Sequence, residues 1–278
     1  MGIFTDIEWC DSTVNPTAGC DGCELWNRIA GIFHCYAGPI HERFGAPIYT
    51  PTFEQVALRP GRMAKAAAWS DLTGKARPTK PWLDGLPRHI FVGDMGDVFS
   101  RDVPFDYLDR ELIQVACSDR GSRHVWMVLT KQARRLRMYA EHVGVTFGPW
   151  PMNVLPGVSV TGPMAVRRAV EAALQFQGHY FLSVEPLLAA VDLRECFSIA
   201  PPRLVIVGGE SRKDARPFRL EWGLNVMSLC DTHSVPLFWK QMGSHVVDLH
   251  GERIRLRDPK GGDPAEWPSE TRVREFPR

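Results

Sequence analysis

The sequence predicts a barrel-like α/β fold, and three observations predict it. From residue 89 onward short apolar runs alternate with amphipathic segments, polar residues collect directly after each run, and no proline- or serine-rich linker interrupts the alternation. The runs are His89–Val92, His124–Leu129, Val154–Val160, Tyr180–Val184, Leu204–Val207 and Leu237–Trp239. Each is short and rich in apolar or β-branched residues, as strands of a parallel sheet buried on both faces are. The segments between them, Phe105–Ser118, Gln132–Val143, Met164–Phe176, Leu187–Phe197 and Phe218–His233, carry apolar residues at three- and four-residue spacing and read as helices. In the third, Met164, Val166, Val170 and Leu174 form the apolar face, with Arg167, Arg168 and Glu171 opposite. Pro104 and Pro163 stand where a first-turn proline is tolerated.

The polar groups after the strands are Gly93–Asp97, Thr130-Lys131, Ser159-Val160-Thr161, Ser183–Pro186, Gly208–Ser211 and Lys240-Gln241. The C-terminal strand ends of parallel α/β folds form the ligand face, so these groups are expected to line one large site, which favours a barrel over an open sheet. The whole chain reads as a single domain: residues 1–37 a first strand (Ile7–Trp9) and a cysteine loop, 38–88 an irregular insert, 89–244 the βα repeats, and 245–278 a charged tail.

Composition narrows the function. The chain is 44% hydrophobic and 23% charged, with 33 basic against 32 acidic residues and a net charge of +1. Proteins that hold nucleic acid chiefly by phosphate neutralisation carry a basic excess, which is absent here, although a local patch is compatible with these numbers. No apolar run approaches the ~20 residues of a membrane span. The N-terminus lacks the charged and apolar regions of a secretory signal, so a soluble, cytoplasmic protein with no membrane partner is expected. Seven cysteines, an odd number, argue against a disulfide framework. Cys117, Cys196 and Cys230 lie in amphipathic stretches and are expected to be buried.

Cys20, Cys23 and Cys35 need a different explanation. They follow the first expected strand, and Gly19 and Gly22 let the loop fold tightly enough for sulfurs two residues apart to reach one centre. Thiolates are soft ligands for zinc and for iron–sulfur clusters. With His34 or Cys10 they could complete four zinc ligands, whereas three thiolates on a four-iron cluster leave one iron open. Spacing alone leaves both readings standing.

The run Ile7-Glu8-Trp9, Asn15-Pro16, Gly19-Cys20 and Cys35-Tyr36-Ala37 resembles the phage-associated three-cysteine-motif family of radical-SAM-like proteins. The resemblance continues through Gly93–Asp97, Leu129–Lys131, Ser183–Pro186, Gly208–Ser211, Ala215–Phe218, Lys240-Gln241, Lys260–Asp263 and Glu266–Pro268, nearly the whole chain in order. That family is similar to radical S-adenosylmethionine (SAM) enzymes such as spore photoproduct lyase. Two departures stand out. The gaps between the cysteines are two and eleven residues here, where the family commonly has about six and two, and Cys10 stands where threonine is expected.

The resemblance implies a partial (βα)6-type barrel with a 4Fe-4S cluster on Cys20, Cys23 and Cys35. It also implies reductive cleavage of SAM to a 5′-deoxyadenosyl radical and an external flavodoxin- or ferredoxin-type electron donor. Asp94, Met95, Gly96 and Asp97, with Tyr36, would hold the methionine end of SAM. Ser159, Thr161 and Glu185 would meet its ribose and carboxylate, and Gly208, Gly209 and Glu210 its nucleoside. Lys131, Arg135, Arg216, Lys240 and Gln241 would face the substrate, within a basic rim that includes Arg134, Arg137, Arg212, Lys213 and Arg219. Helix caps, structural ion pairs and solvated helix faces are the ordinary alternative for each of these polar residues. The substrate expected is a nucleobase or nucleotide, including phage DNA. A small metabolite or peptide, or a zinc-stabilised nucleic-acid-binding protein without catalysis, are the rivals.

Overall fold

A computed structural model describes residues 2–45 and 49–278, so residues 46–48 of the expected insert lie outside the described residues. The chain forms two compact units, Met1–Ala76 with Asp84–Leu155, and Arg77–Leu83 with Pro156–Arg278.

The strands of the first unit are β1 (Ser12–Val14), β2 (Thr17–Ala18), β3 (Trp26–Asn27), β4 (Ile32–Phe33), β5 (Ala57–Leu58), β6 (Arg88–Val92) and β7 (His124–Thr130). Its helices are α1 (Ala37–Phe44), α2 (Arg62–Ala67), α3 (Phe105–Leu108), α4 (Gln114–Cys117) and α5 (Ala133–Thr146), with one π-helical turn, Asp109–Ile113, joining α3 to α4. β1 pairs in parallel with β6, and β6 with β7. Every residue of β6 is buried, as an internal parallel strand requires. Arg88 begins that strand with only 1% exposure, yet its guanidinium donates to the Ser70 carbonyl (2.8 Å), the Ser70 hydroxyl (3.0 Å) and the Ser12 hydroxyl (2.8 Å). Those bonds let a charged side chain lie inside the fold.

The first strand is not Ile7–Trp9. Those residues turn, Cys10 N–H donating to the Ile7 carbonyl (3.4 Å), and Trp9 packs against Phe91 with ring centroids 4.6 Å apart. The chain enters the sheet only at Ser12, where the Asp11 carboxylate accepts the His89 N–H (2.8 Å) and sets the register. Apolar content here marked a turn whose Trp9 is buried. In α5 the buried residues Ala133, Leu136, Ala140 and Val143 recur every three or four positions, as their spacing predicts. Cys10 is buried, but Cys117, at the last position of α4, is exposed, against expectation.

The second unit contributes β8 (Val154–Ser159, whose first two residues belong to the first unit), β9 (Phe181–Val184), β10 (Leu204–Gly208), β11 (Phe218–Arg219), β12 (Leu237–Gln241), β13 (Val246–Val247) and β14 (Arg253–Ile254). Its helices are α6 (Val166–Phe176), α7 (Arg194–Ile199) and α8 (Leu220–Thr232). β8, β9, β10 and β12 pair in parallel. The strand order is β1-β6-β7-β8-β9-β10-β12, and the fold is α/β with a seven-stranded sheet.

Three expectations are corrected in this unit. α6 buries Ala169, Ala172, Ala173 and Phe176 and leaves Leu174 (58%) exposed, and Met164, in the turn before it, is exposed as well (98%), so the inner face is three alanines and Phe176 rather than the expected Met164–Leu174 row. The helix expected over Leu187–Phe197 forms only at Arg194–Ile199. The Leu187 and Leu188 N–H groups donate instead to the carbonyls of Gly208 and Thr161 (both 3.0 Å), at the ends of other strands. Phe218 and Arg219 are a strand beside β13, not the start of α8.

The charged tail pairs with β12: Trp239 N–H donates to Val273 (2.8 Å) and Glu275 N–H to Leu237 (2.9 Å). Arg274 places its guanidinium 4.8 Å from the Trp82 ring centre and 5.2 Å from that of Trp267, so cation–π contacts hold the tail to residues 77–83 of the same unit. Among the described residues no helix is long and apolar enough to cross a membrane.

Gly157 sits opposite Phe181 in the β8–β9 pair, and a Cβ there would lie 2.2 Å from the phenyl ring. Gly157→Ala should lower the unfolding free energy by about 1–3 kcal/mol, an overpacking cost. Urea unfolding of parent and variant checks this, and an unchanged midpoint would contradict the packing described.

Candidate functional site

The eleven residues between Cys23 and Cys35 fold as a hairpin. β3 and β4 pair antiparallel, Trp26 opposite Phe33 and Asn27 opposite Ile32, so the cysteines flanking the hairpin return to the same end of it. Backbone bonds pin all three. Cys20 N–H donates to Phe53 (2.8 Å), Cys23 and Trp26 exchange N–H···O bonds (3.0 and 3.1 Å), and Cys35 N–H donates to Leu25 (2.8 Å). Cys20 and Cys35 both pack on the apolar cluster of Trp26, Ala37, Phe53 and Met95.

Each thiol is partly buried. Burial pushes the Cys20 thiol far up, and the nearby Asp97 carboxylate adds to it. Burial also raises Cys23, opposed chiefly by the Lys131 ammonium and then by the Leu25 N–H, which reaches its sulfur at 3.4 Å. Cys20 feels the charge of Cys23, and Cys23 that of Cys35, so the three form one electrostatic group. Among the described residues no three His, Cys, Asp or Glu side chains are grouped so that they could hold one metal ion. A single zinc needs its donors around one point, about 2.0–2.3 Å away. A cluster instead offers a separate iron to each thiolate, and it suits soft, partly desolvated sulfurs that receive backbone N–H bonds. Thiolates are donors of the soft kind that clusters and zinc both take. His34, weighed as a zinc ligand, has its Nδ1 buried without a hydrogen bond.

The segment after β6 lies against this loop. Gly19 and Gly96 form a parallel bridge, and a Cβ on Gly96 would stand 2.5 Å from the Gly19 carbonyl oxygen. Asn15 spans the junction: its Nδ2 donates to Asp94 Oδ1 (2.6 Å) and its Oδ1 accepts the Met95 N–H (3.0 Å). The Tyr36 hydroxyl donates to the Asp94 carbonyl. Burial raises the Asp94 carboxyl above the usual carboxylate range, with the Asn15 bond opposing.

Asp97 is differently placed. Its carboxylate accepts the Thr130 hydroxyl (2.7 and 2.8 Å), the Lys131 N–H (2.9 Å) and the Phe99 N–H (2.9 Å), tying the end of β6 to that of β7. Met95 thus lies in the apolar cluster that Cys20 and Cys35 flank, Gly96 meets Gly19 beside Cys20, Lys131 acts on Cys23, and Tyr36 is bonded to Asp94, while Asp97 braces the strand ends and acts on Cys20. Met95 contributes its side chain to the apolar wall. The expectation omitted Asn15 as a site residue, although Asn15-Pro16 was visible as a motif.

In the second unit Glu185 follows β9. Lys240 Nζ lies 2.7 Å from its Oε1, and Gln241 Nε2 donates to the same oxygen (3.1 Å) and to the Gly209 carbonyl (2.9 Å). Adjacent strand residues normally point to opposite faces. A register shift at the end of β10, where Val207 opposes Trp239 but Gly208 opposes Gln241, lets both reach one carboxylate. Gly209 has no room for a side chain, a Cβ there standing 2.2 Å from the Met242 carbonyl oxygen. Glu210 accepts three bonds from Arg216, at its N–H (3.0 Å), Nε (3.0 Å) and Nη2 (2.9 Å). Ser159 and Thr161 are buried at the end of β8.

Three arginines of the expected basic rim have partners within the chain. Arg135 donates to the Val103 carbonyl and lies 4.7 Å from the Phe105 ring centre, Arg212 pairs with Asp214 (3.1 Å), and Arg216 is held by Glu210. Buried or half-buried guanidinium groups find partners within the chain, because desolvating them unpaired is costly.

A family model described as a protein of unknown function (DUF5131) matches residues 4–266. No curated protein and no solved structure matches the chain.

The raised Asp94 carboxyl has a pH signature. Its unfolded form ionises at the usual carboxylate pH while the folded form still holds its proton. Its contribution to stability is therefore full below that pH and lost as pH rises through the folded value. The parent should lose unfolding free energy relative to Asp94→Asn across that window, as read from denaturation at a series of pH values. Parallel pH profiles would remove the assignment.

Proposed function

The chain belongs to the DUF5131 family, a family of unknown function, and we propose that it is a radical SAM enzyme acting on a nucleobase or nucleotide. The observation that carries this reading is the return of Cys35 to Cys23 by the β3–β4 hairpin, beside Cys20 and directly against the Asp94–Gly96 segment. Cys20, Cys23 and Cys35 would hold a 4Fe-4S cluster, in a parallel sheet that we read as a partial (βα)6-type barrel. Bound there, the cluster would supply the electron that cleaves the SAM sulfonium and yields a 5′-deoxyadenosyl radical, itself reduced by a flavodoxin- or ferredoxin-type donor.

The chain's own residues would bind, orient and exclude water. Asp94, fixed by Asn15, offers a carboxylate, and its backbone carbonyl and that of Gly96 are acceptors for an ammonium group. Tyr36 anchors the loop at Asp94 through its hydroxyl. Trp26, Phe53 and Met95 keep water from one side of the thiols. Lys131 favours the thiolate form of Cys23. In the second unit, Glu185 accepts from Lys240 and Gln241 through one oxygen and is a candidate for a ribose hydroxyl, with Ser159 and Thr161 at the end of β8. Gly208 and Gly209 allow close backbone approach of a nucleoside. Glu210 and Arg216 satisfy each other and would act by shaping that turn.

Anaerobically reconstituted protein should carry one four-iron cluster with broad visible absorption. Cys20→Ala, Cys23→Ala or Cys35→Ala should each abolish it, while Cys117→Ala should leave it intact. After reduction with dithionite the parent should slowly form 5′-deoxyadenosine from SAM, detected by chromatography. Stoichiometric zinc without iron, or a reducible cluster that yields no nucleoside, would overturn the reading.

A further inference from the structure

In the C-terminal part of the second unit, β11, β13 and β14 form a three-stranded sheet, β13 parallel to β11 and antiparallel to β14. Phe218, Val246 and Ile254 share one register row, and Arg219, Val247 and Arg253 the next. In-register neighbours project from the same face of a sheet. Phe218 and Val246 are buried, so the Phe218 row faces inward; in the other row Arg219 and Arg253 are exposed, with Val247 buried between them.

The alternation runs on past β14 as Arg253-Ile254-Arg255-Leu256-Arg257, with the three arginines exposed and Ile254 and Leu256 half-buried. Arg255 thus stands about 6.6 Å along the strand from Arg253, two residues at ~3.3 Å each. Beside this strand is a cleft of about 330 Å³, lined by Gly243, Ser244, Arg253, Arg255, Asp258 and Pro259 among others. That volume lies at the lower end of the range of ligand sites, roughly 300–1,000 Å³.

The charges on this face are unbalanced. Neither Arg219 nor Arg255 makes a hydrogen bond or ion pair among the described residues, and Arg253 donates only to the Ser244 carbonyl (3.3 Å). Arg257 pairs with Glu266 (3.3 Å). The Asp258 carboxylate in the cleft wall is directed at its own loop, accepting the N–H groups of Lys260 (3.1 Å) and Gly262 (2.6 Å). Glu252 shares the parity of Ile254, the opposite face from Arg253. Charged side chains do guard exposed strand edges, but that purpose requires neither an unopposed row of guanidinium groups nor a cleft beside them. The cleft adjoins the Gly208–Glu210 turn, because Ser244 N–H donates to the Glu210 carbonyl (2.9 Å).

We propose that this cleft and the outer face of the β11–β13–β14 sheet bind the phosphodiester backbone of a single-stranded nucleic acid. Arg253 and Arg255 take one phosphate at the cleft, and Arg219 takes another. Guanidinium forks pair two phosphate oxygens at once, and long side chains about 6.6 Å apart along the backbone can converge on one phosphate. A single strand is favoured because the chain, with a net charge of only +1, has no overall basic excess to neutralise a duplex. The inference extends the nucleotide reading to a polymer, but its test needs no cluster, so the two readings fail separately.

The test is fluorescence anisotropy of a labelled single-stranded DNA oligonucleotide with the full chain at several salt concentrations. Inorganic phosphate, a mononucleotide and the matching duplex serve as competitors. Arg255→Glu and Arg219→Glu should each weaken binding roughly tenfold and flatten the log–log salt slope by about 0.7. Both should keep the parent's thermal unfolding midpoint, and Arg167→Glu on α6, outside this sheet, should bind as the parent does. Equal binding by the Arg255 and Arg219 variants, no binding by the parent at low salt, or tighter binding of the duplex would each overturn the proposal. So would a mononucleotide that competes as well as the strand.

Discussion

Gly19 and Gly96 meet backbone to backbone, and the candidate site of the first unit is built around that contact. A Cβ on Gly96 would stand 2.5 Å from the Gly19 oxygen, and one on Gly19 would stand 2.0 Å from the Gln55 oxygen. Gly19 also has a φ of +84°, a conformation in which other residues are strained. Two glycines therefore bring the cysteine loop to the end of β6, and Asn15 locks the junction by bonding to Asp94 and Met95. Asp97 then ties the same segment to β7 through Thr130 and Lys131. The position of the thiols relative to Asp94 is thus set mostly by main chain, which holds geometry more firmly than side-chain rotamers do.

The second unit shows the complementary principle. Its polar residues sit where water is scarce, and each buried charge has acquired a partner. Glu185 has Lys240 and Gln241, and Glu210 has Arg216. Such pairs are costly to break singly because the remaining charge stays desolvated. Guanidinium groups that can act on something outside the chain stand on the exposed face of the small C-terminal sheet, where water solvates them until a ligand arrives.

The main strands were legible because a parallel strand buried on both faces must be apolar along its length, and His124–Thr130 or Leu204–Gly208 can be little else. Ile7–Trp9, expected as a short strand, is a turn in which only Trp9 is buried, since hydrophobicity reports burial and not backbone path. Leu187–Phe197 had helical spacing, yet its first N–H groups were claimed by Gly208 and Thr161, partners distant in sequence. In α6 the inner face is made of Ala169, Ala172, Ala173 and Phe176, and Leu174 points outward. Interior packing density decides such cases, and composition does not record it.

Among the site residues, the three cysteines and the Gly93–Asp97 segment could be singled out by residue chemistry and glycine placement, and the family resemblance lent them roles. Their spacing could not say where the eleven residues between Cys23 and Cys35 carry the chain; the β3–β4 hairpin returns Cys35 to the Cys23 end, because proximity across a loop is a property of strand pairing. Likewise the sequence by itself determined an α/β chain with polar strand ends, since periodicity and burial are local. Which arginines are spent inside the fold, as Arg135, Arg212 and Arg216 are, and which remain available, as Arg219 and Arg255 do, was decided by tertiary structure alone. A charge is neutralised by what lies beside it in space, and the neighbours that did so included the Val103 carbonyl, 32 residues from Arg135.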